Sequence, residues 1–193
     1  YIMLQIPVEG EYFFRKTEMV AGFNFSADGT FQFFFSYGAV DRSANGTFTV
    51  EGNLVKLTSN KEAGKDFTVT EQSKTGSGYT IQFSHPNAYL CENIRCLFFT
   101  GETPAEAYTD RNGKVQVDLA SYDRIYAQHL LYPDIVTLIK DTGNDNDHFI
   151  CSLNPSLEQL SFKGIDLTIE DDGTLSWLPN YFLAMPDVKF VKA

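Results

Sequence analysis

The sequence predicts an all-β chain, and three observations predict it. Apolar residues fall in short runs with two-residue alternation, four glycine-bearing turns fit consistent hairpins, and no stretch sustains the 3.6-residue apolar period of a long helix. The composition agrees, since seventeen Phe and ten Tyr among 193 residues are side chains that favour pleated surfaces.

In chain order, "FNFSADGTFQFFF" (23–35) sets the first register. A two-residue loop at Asp28-Gly29 would divide the phenylalanines between faces. A three-residue loop, Ala27-Asp28-Gly29, instead pairs Phe25 with Phe31 and Phe23 with Phe33 on one face. Gly29 then takes the left-handed position of a type I turn with a G1 bulge. A one-residue slip would reverse every side chain, so the second register is expected. "SANGT" at 43–47 repeats "SADGT" at 26–30 and is read as the same turn chemistry.

Further along, a Gly52-Asn53 turn in "FTVEGNLVKL" pairs Val50 with Val55 and Phe48 with Leu57. "LTIEDDGTLSW" pairs Ile169 with Leu175 around a loop ending at Gly173. "TDRNGKVQV" (109–117) is the fourth hairpin candidate, with Gly113 last in its loop. The only helical candidates are short, in "LASYDRIYAQHLL" and "PSLEQL".

Polar stretches at 59–78, interrupted by a strand at Phe67–Thr70, and at 140–148 mark breaks. They divide the chain into a β meander over 1–72, a central β segment over 73–141 and a C-terminal β segment over 142–193 that completes the first.

"FSADGTFQFFFSYGAVDRSANGTFTVEGNLVKLTS" resembles a pattern in uncharacterised bacterial proteins with lipocalin-type barrel meanders. "LTIEDDGTLSWLPNYFLAMPDVKFVKA" is similar to the closing hairpin of small lipocalin-like barrels. Between them, "YTIQFSHPNAYLCENIRCLFFTGETPAEAYTDRNGKVQVDL" resembles the transthyretin-like, or carboxypeptidase-regulatory, sandwich. The resemblance implies an all-β, largely antiparallel chain with few short helices. A lipocalin-like barrel meander would be joined to a transthyretin-like β-sandwich, inserted in the barrel or following it. Neither pattern carries a catalytic residue, and such folds serve many roles.

The formal charge of −10 argues against a nucleic-acid partner, which requires Lys and Arg to neutralise phosphates, and against anionic lipid. No apolar run reaches the roughly 18 residues of a membrane span. The chain starts at Tyr1 without a signal-peptide pattern; it is read as a mature product of an exported protein, periplasmic or extracellular.

No nucleophile elbow, zinc-protease pair, phosphate loop, dinucleotide fingerprint or EF-hand occurs, and no catalytic residue or cofactor is expected. His85, His129 and His148 lie in unlike segments. A site joining His148 to Cys151 is disfavoured because residues three apart on a strand face opposite ways. Cys91 and Cys96 would close a loop if their segment turned, or either would pair with Cys151.

Two candidate sites remain. "DTGNDND" supplies Asp141, Asn144, Asp145 and Asp147 as oxygen ligands for calcium, against the commoner reading of a solvated Asx-rich loop. The stripe Phe23, Phe25, Phe31, Phe33, Phe35 and Tyr37 lines either a solid barrel core or a cup for one small apolar molecule. Phe34 faces the other way and is expected to meet a second sheet or domain. Asn24 and Asn45 stand in glycosylation sequons, unused in a bacterial protein. The functional expectation is a non-enzymatic module that binds a ligand or a protein partner. The alternatives are a small hydrolase with its site in a cleft between the β domains, or a structural module pairing through strand edges.

Overall fold

The computed structural model describes residues 8–118 and 121–193. The chain divides into two compact units, residues 1–63 with 158–193, and residues 64–157.

The first unit is a closed barrel. Its strands are β1 (Gly10–Lys16), β2 (Met19–Phe25), β3 (Thr30–Tyr37), β4 (Val40–Glu51), β5 (Leu54–Ser59), β14 (Asp166–Ile169), β15 (Leu175–Trp177) and β16 (Val188–Lys192). Each strand pairs antiparallel with the next, and β16 returns to β1. Closure leaves the sheet no free edge. The second unit enters the chain between β5 and β14.

The turn chemistry sets the registers. Phe25 pairs with Phe31 and Phe23 with Phe33, while the Ser26 amide donates to Thr30 O at 2.9 Å and Gly29 takes φ +86°. The Asp28 carboxylate accepts from both the Thr30 amide (3.0 Å) and its hydroxyl (2.6 Å). "EDDGT" builds the same turn: Asp172 accepts from the Thr174 amide at 3.0 Å and its hydroxyl at 2.6 Å, and Ile169 pairs with Leu175. Val50 pairs with Val55 and Phe48 with Leu57, as the Gly52 turn requires.

"SANGT" corrects the expectation placed on it. Residues 43–47 lie inside the twelve-residue strand β4, with Thr47 opposite Thr30 and Gly46 opposite Phe31. The turn between β3 and β4 is Gly38-Ala39, closed by the Tyr37–Val40 pair. What repeats as a turn is Asp-Gly-Thr at 28–30 and 172–174; Asn45-Gly46 serves the strand instead.

Inside the barrel the rings fill the space. Phe23 lies 4.7 Å from Phe33, 5.0 Å from Phe190, 5.3 Å from Phe25 and 5.9 Å from Trp177 between ring centroids. Phe162 joins Phe31 and Phe33, and Phe182 sits edge-on to Phe35 at 4.8 Å. β4 outruns its pairing with β5, and the chain re-entering at Gln159 covers the remainder: Ser43 bridges Gln159, and the Leu160 amide donates to Ser43 O at 2.8 Å. Two buried cations fasten this join. Arg42 Nε donates to Glu158 O at 3.0 Å and Lys61 Nζ to Gln159 O at 2.5 Å.

The second unit holds β6 (Phe67–Ser73), β7 (Tyr79–Ser84), β8 (Arg95–Thr100), β9 (Thr103–Tyr108), β10 (Lys114–Val117), β11 (Arg124–Gln128), β12 (Thr137–Lys140) and β13 (His148–Leu153). They form two four-stranded sheets, β10-β7-β13-β6 and β12-β11-β8-β9. One core joins both sheets, with Phe67, Ile81, Phe83 and Phe149 from the first and Cys96, Phe98 and Ile125 from the second. All pairings are antiparallel except β7 with β13.

Three expectations change here. The breaks placed at 72 and 141 fall inside this unit, because β6 and β13 pair with each other along their lengths; the division lies at 63/64 and 157/158. "TDRNGKVQV" makes the expected turn, with the Gly113 amide donating to Asp110 O at 2.9 Å, but not a hairpin. β9 before it pairs β8, and β10 after it pairs β7 in the other sheet. "LASYDRIYAQHLL" is a strand from Arg124, since Ile125 and Ala127 alternate inward and β11 has partners on both sides; residues 119 and 120 lie outside the described residues. "PSLEQL" does carry one 3-10 turn, Pro155–Glu158.

Candidate functional site

The alternation that turns Tyr12, Phe23, Phe33 and Ala44 inward turns their neighbours outward on β1–β4. Register then aligns these neighbours in rows across four strands. Glu11 pairs with Asn24, Asn24 with Gln32, and Gln32 with Asn45. The adjoining row is Phe13, Gly22, Phe34 and Ser43. A polar rung therefore lies beside an aromatic one.

Gly22 makes the aromatic rung a depression. Without a side chain there, Phe13 and Phe34 lean over the backbone and meet edge to face, with centroids 6.2 Å apart and planes at 60°. A Cβ at this position would stand 2.5 Å from Phe34 Cε1 and 2.9 Å from Phe13 Cδ1, closer than carbon atoms pack. The Arg15 guanidinium lies 5.6 Å from the Phe13 ring centroid, a cation–π contact that restrains the ring. Phe34 stays 41% exposed, so its ring is available to a ligand.

The resulting groove encloses about 440 Å³ and reaches from Glu11 and Phe13 to Asn45 and Gln159, within the size range of small-molecule sites. Its polar groups are largely unspent. Asn45 Oδ1 accepts from Asn60 Nδ2 at 3.0 Å, but the side chains of Glu11, Asn24 and Gln32 bond to no other described residue. Each amide offers two donor hydrogens and a carbonyl acceptor; the carboxylate is acceptor only. Glu11 is the single ionisable group in the lining.

The residues singled out from sequence lie elsewhere. Phe23, Phe25, Phe31, Phe33 and Phe35 are buried in the filled barrel interior. Tyr37 shares their strand phase but closes the β3–β4 turn, where it is 50% exposed. The loop after β12 uses its oxygens on its neighbours. Asp147 accepts from the Thr75 amide (2.7 Å) and the Gly76 amide (2.8 Å), which holds its carboxyl below the usual range. Asp141 accepts from the Thr142 amide, Asn144 Oδ1 from the Asn146 amide, and Asp145 pairs with Lys74 at 3.2 Å. Among the described residues, no group of three or more His, Cys, Asp or Glu is placed to hold a metal ion; the calcium expectation therefore finds no converging set of carboxylates.

Cys91, Cys96 and Cys151 are buried free thiols. Burial pushes Cys96 up to about 12, with Cys151 beside it a lesser cause, and Cys151 also to about 12. His129 is buried, with Nε2 2.8 Å from Leu90 O and Nδ1 accepting from the Leu131 and Tyr132 amides at 3.2 and 3.3 Å. It fastens a loop.

Phe34 was legible in sequence as an outward aromatic, and the Gly29 register already sets Gly22 opposite it; Phe13 was not. The β1–β2 turn holds Thr17-Glu18, with Glu18 at φ +61°, and carries no glycine signal to fix its register. The available clue was a mid-strand glycine in "VAGFNF" following the phenylalanine pair in "EYFFRK", a pattern in which aromatics cover a bare backbone. Comparison with protein-family models, with curated proteins and with solved structures finds no match for the chain.

Proposed function

We propose that the chain is a non-enzymatic ligand-binding module whose ligand occupies the outer groove of the first unit. The observation that carries this reading is the juxtaposition of the Phe13–Phe34 pair over Gly22 with the unspent Glu11, Asn24 and Gln32 side chains. A half-exposed aromatic pair beside exposed amides that no protein group engages lets a ligand with one apolar face and one polar edge cover the rings while exchanging the water on the amides for its own hydrogen bonds. A lipocalin-like type for the barrel is supported by its eight antiparallel strands in up-and-down order, with the second unit inserted between β5 and β14, and a transthyretin-like type for the sandwich by its two four-stranded sheets. The binding surface is moved from the lumen, where that resemblance would look for it, to the wall.

The test is backbone-amide mapping of the ¹⁵N-labelled chain against a library of small soluble fragments, aromatic amides and polyols included. Shifts clustered at Gly22, Asn24, Gln32 and Phe34, abolished by Gly22→Leu, are expected. A library in which no fragment produces that cluster overturns the assignment.

A further inference from the structure

We infer that the ligand of this groove is a neutral saccharide, with one ring face resting on Phe34, which Phe13 props edge to face, and its hydroxyls on the Asn24, Gln32 and Glu11 rung. The inference rests on the ligand-binding reading above and adds the chemistry of the ligand.

The lining is selective in three ways. Asn24 and Gln32 are adjacent cross-strand partners, so two amides, each both donor and acceptor, stand side by side. A hydroxyl is likewise donor and acceptor at once, and neighbouring hydroxyls on a sugar ring present several such groups along one edge. The C–H face of the same ring is apolar and weakly electropositive, which suits the negative face of a phenyl ring. The sole charge in the lining is the Glu11 carboxylate, an acceptor for hydroxyl hydrogens and a deterrent to phosphates, sulfates and uronates.

Other occupants meet obstacles on the same surface. An extended peptide docks by adding to a free strand edge, and β1–β4 are paired on both sides in the closed barrel. A wholly apolar ligand would cover Asn24, Gln32 and Glu11 without replacing their water, at a cost in free energy for each. Anionic ligands find no cation in the lining. With one carboxylate and no opposing acid, the bound sugar is retained and not cleaved.

The experiment titrates the ¹⁵N-labelled full chain with maltohexaose, cellohexaose, mannohexaose, xylohexaose and chitohexaose, with a hexagalacturonate for comparison. At least one neutral oligosaccharide should give saturable shifts at the Gly22, Gln32 and Asn45 amides with a dissociation constant in the micromolar to millimolar range. Hexagalacturonate should bind at least tenfold more weakly. Gln32→Ala and Phe34→Ala, both at exposed positions, should each weaken binding tenfold or more while leaving the remaining spectrum folded. If none of the neutral sugars moves these amides but fragments from the library do, the saccharide assignment fails and the ligand-binding reading survives. If neither moves them, both fail. Equal binding of hexagalacturonate also overturns the assignment, since it removes the role given to Glu11.

Discussion

Gly46 stands so close to Thr58 that a Cβ on it would lie 1.9 Å from the Thr58 carbonyl oxygen and 2.8 Å from the Ser59 Cα. The obstruction is backbone of the paired strand β5, not a side chain free to turn aside. Gly46→Ala should therefore cost more than about 3 kcal/mol, beyond the usual range for overpacking. Urea denaturation checks this. A loss below about 1 kcal/mol would mean that the β4–β5 approach is not as tight as described.

Arg42 and Lys61 hold the chain where it re-enters the barrel, and Arg42 also lies 5.5 Å over the Phe182 ring. Removing the guanidinium leaves Glu158 O without that donor at a part-buried join. Arg42→Met, which keeps the aliphatic bulk, should destabilise by about 2 to 4 kcal/mol. Hydrogen exchange should quicken first at Leu160, whose amide bonds Ser43 O. A neutral effect on both readouts would show that the cation is dispensable for the join.

With Cys96 and Cys151 raised from about 9 to about 12, the folded chain keeps protons that the unfolded chain releases. Stability is thus insensitive to these thiols below pH 9 and falls as pH rises from there towards 12, with a slope of up to about 1.4 kcal/mol per pH unit for each thiol. Denaturation midpoints between pH 7 and 11 should show this decline, and Cys151→Ala should reduce its slope by about half. The native chain should resist thiol-specific reagents at pH 8.

Trp177 is boxed by Phe23, Phe33, Phe162, Phe182 and Phe190, with centroids 5.1 to 6.3 Å away. No room is left beside it for a dye. Nile red should therefore leave the native fluorescence of Trp177 unquenched at saturating concentrations. Saturable quenching would restore the interior as a binding cup.

Local chemistry was legible wherever a turn announces itself. Asp-Gly-Thr at 28–30 and 172–174 and Gly52-Asn53 fixed three registers, and with them the inward face of every strand they join. The all-β class followed from alternation, from the glycine-bearing turns and from the lack of a sustained 3.6-residue period. The same letters misled where the partner lay far along the chain. Asn45-Gly46 reads as a turn, yet it is a strand segment that glycine opens to the approach of β5. Asp110–Gly113 is a sound turn, but whether it joins a hairpin or passes between sheets depends on β7, about thirty residues earlier.

The chain by itself thus determined its class, the hairpins whose glycine turns announce them and the aromatic phase that fills the barrel, because these depend on neighbours a few residues apart. Only the tertiary structure decided that β13 pairs β6 and β7, that the barrel closes through β16, and that Phe13 and Glu11 of β1 join the Gly22–Phe34 and Asn24–Gln32 pairs, which the Gly29 turn had already set. These are pairings between strands whose connections are long or carry no register signal. A binding surface on the outside of a barrel is made by such pairings, and two-residue alternation alone cannot show which outward side chains will stand together.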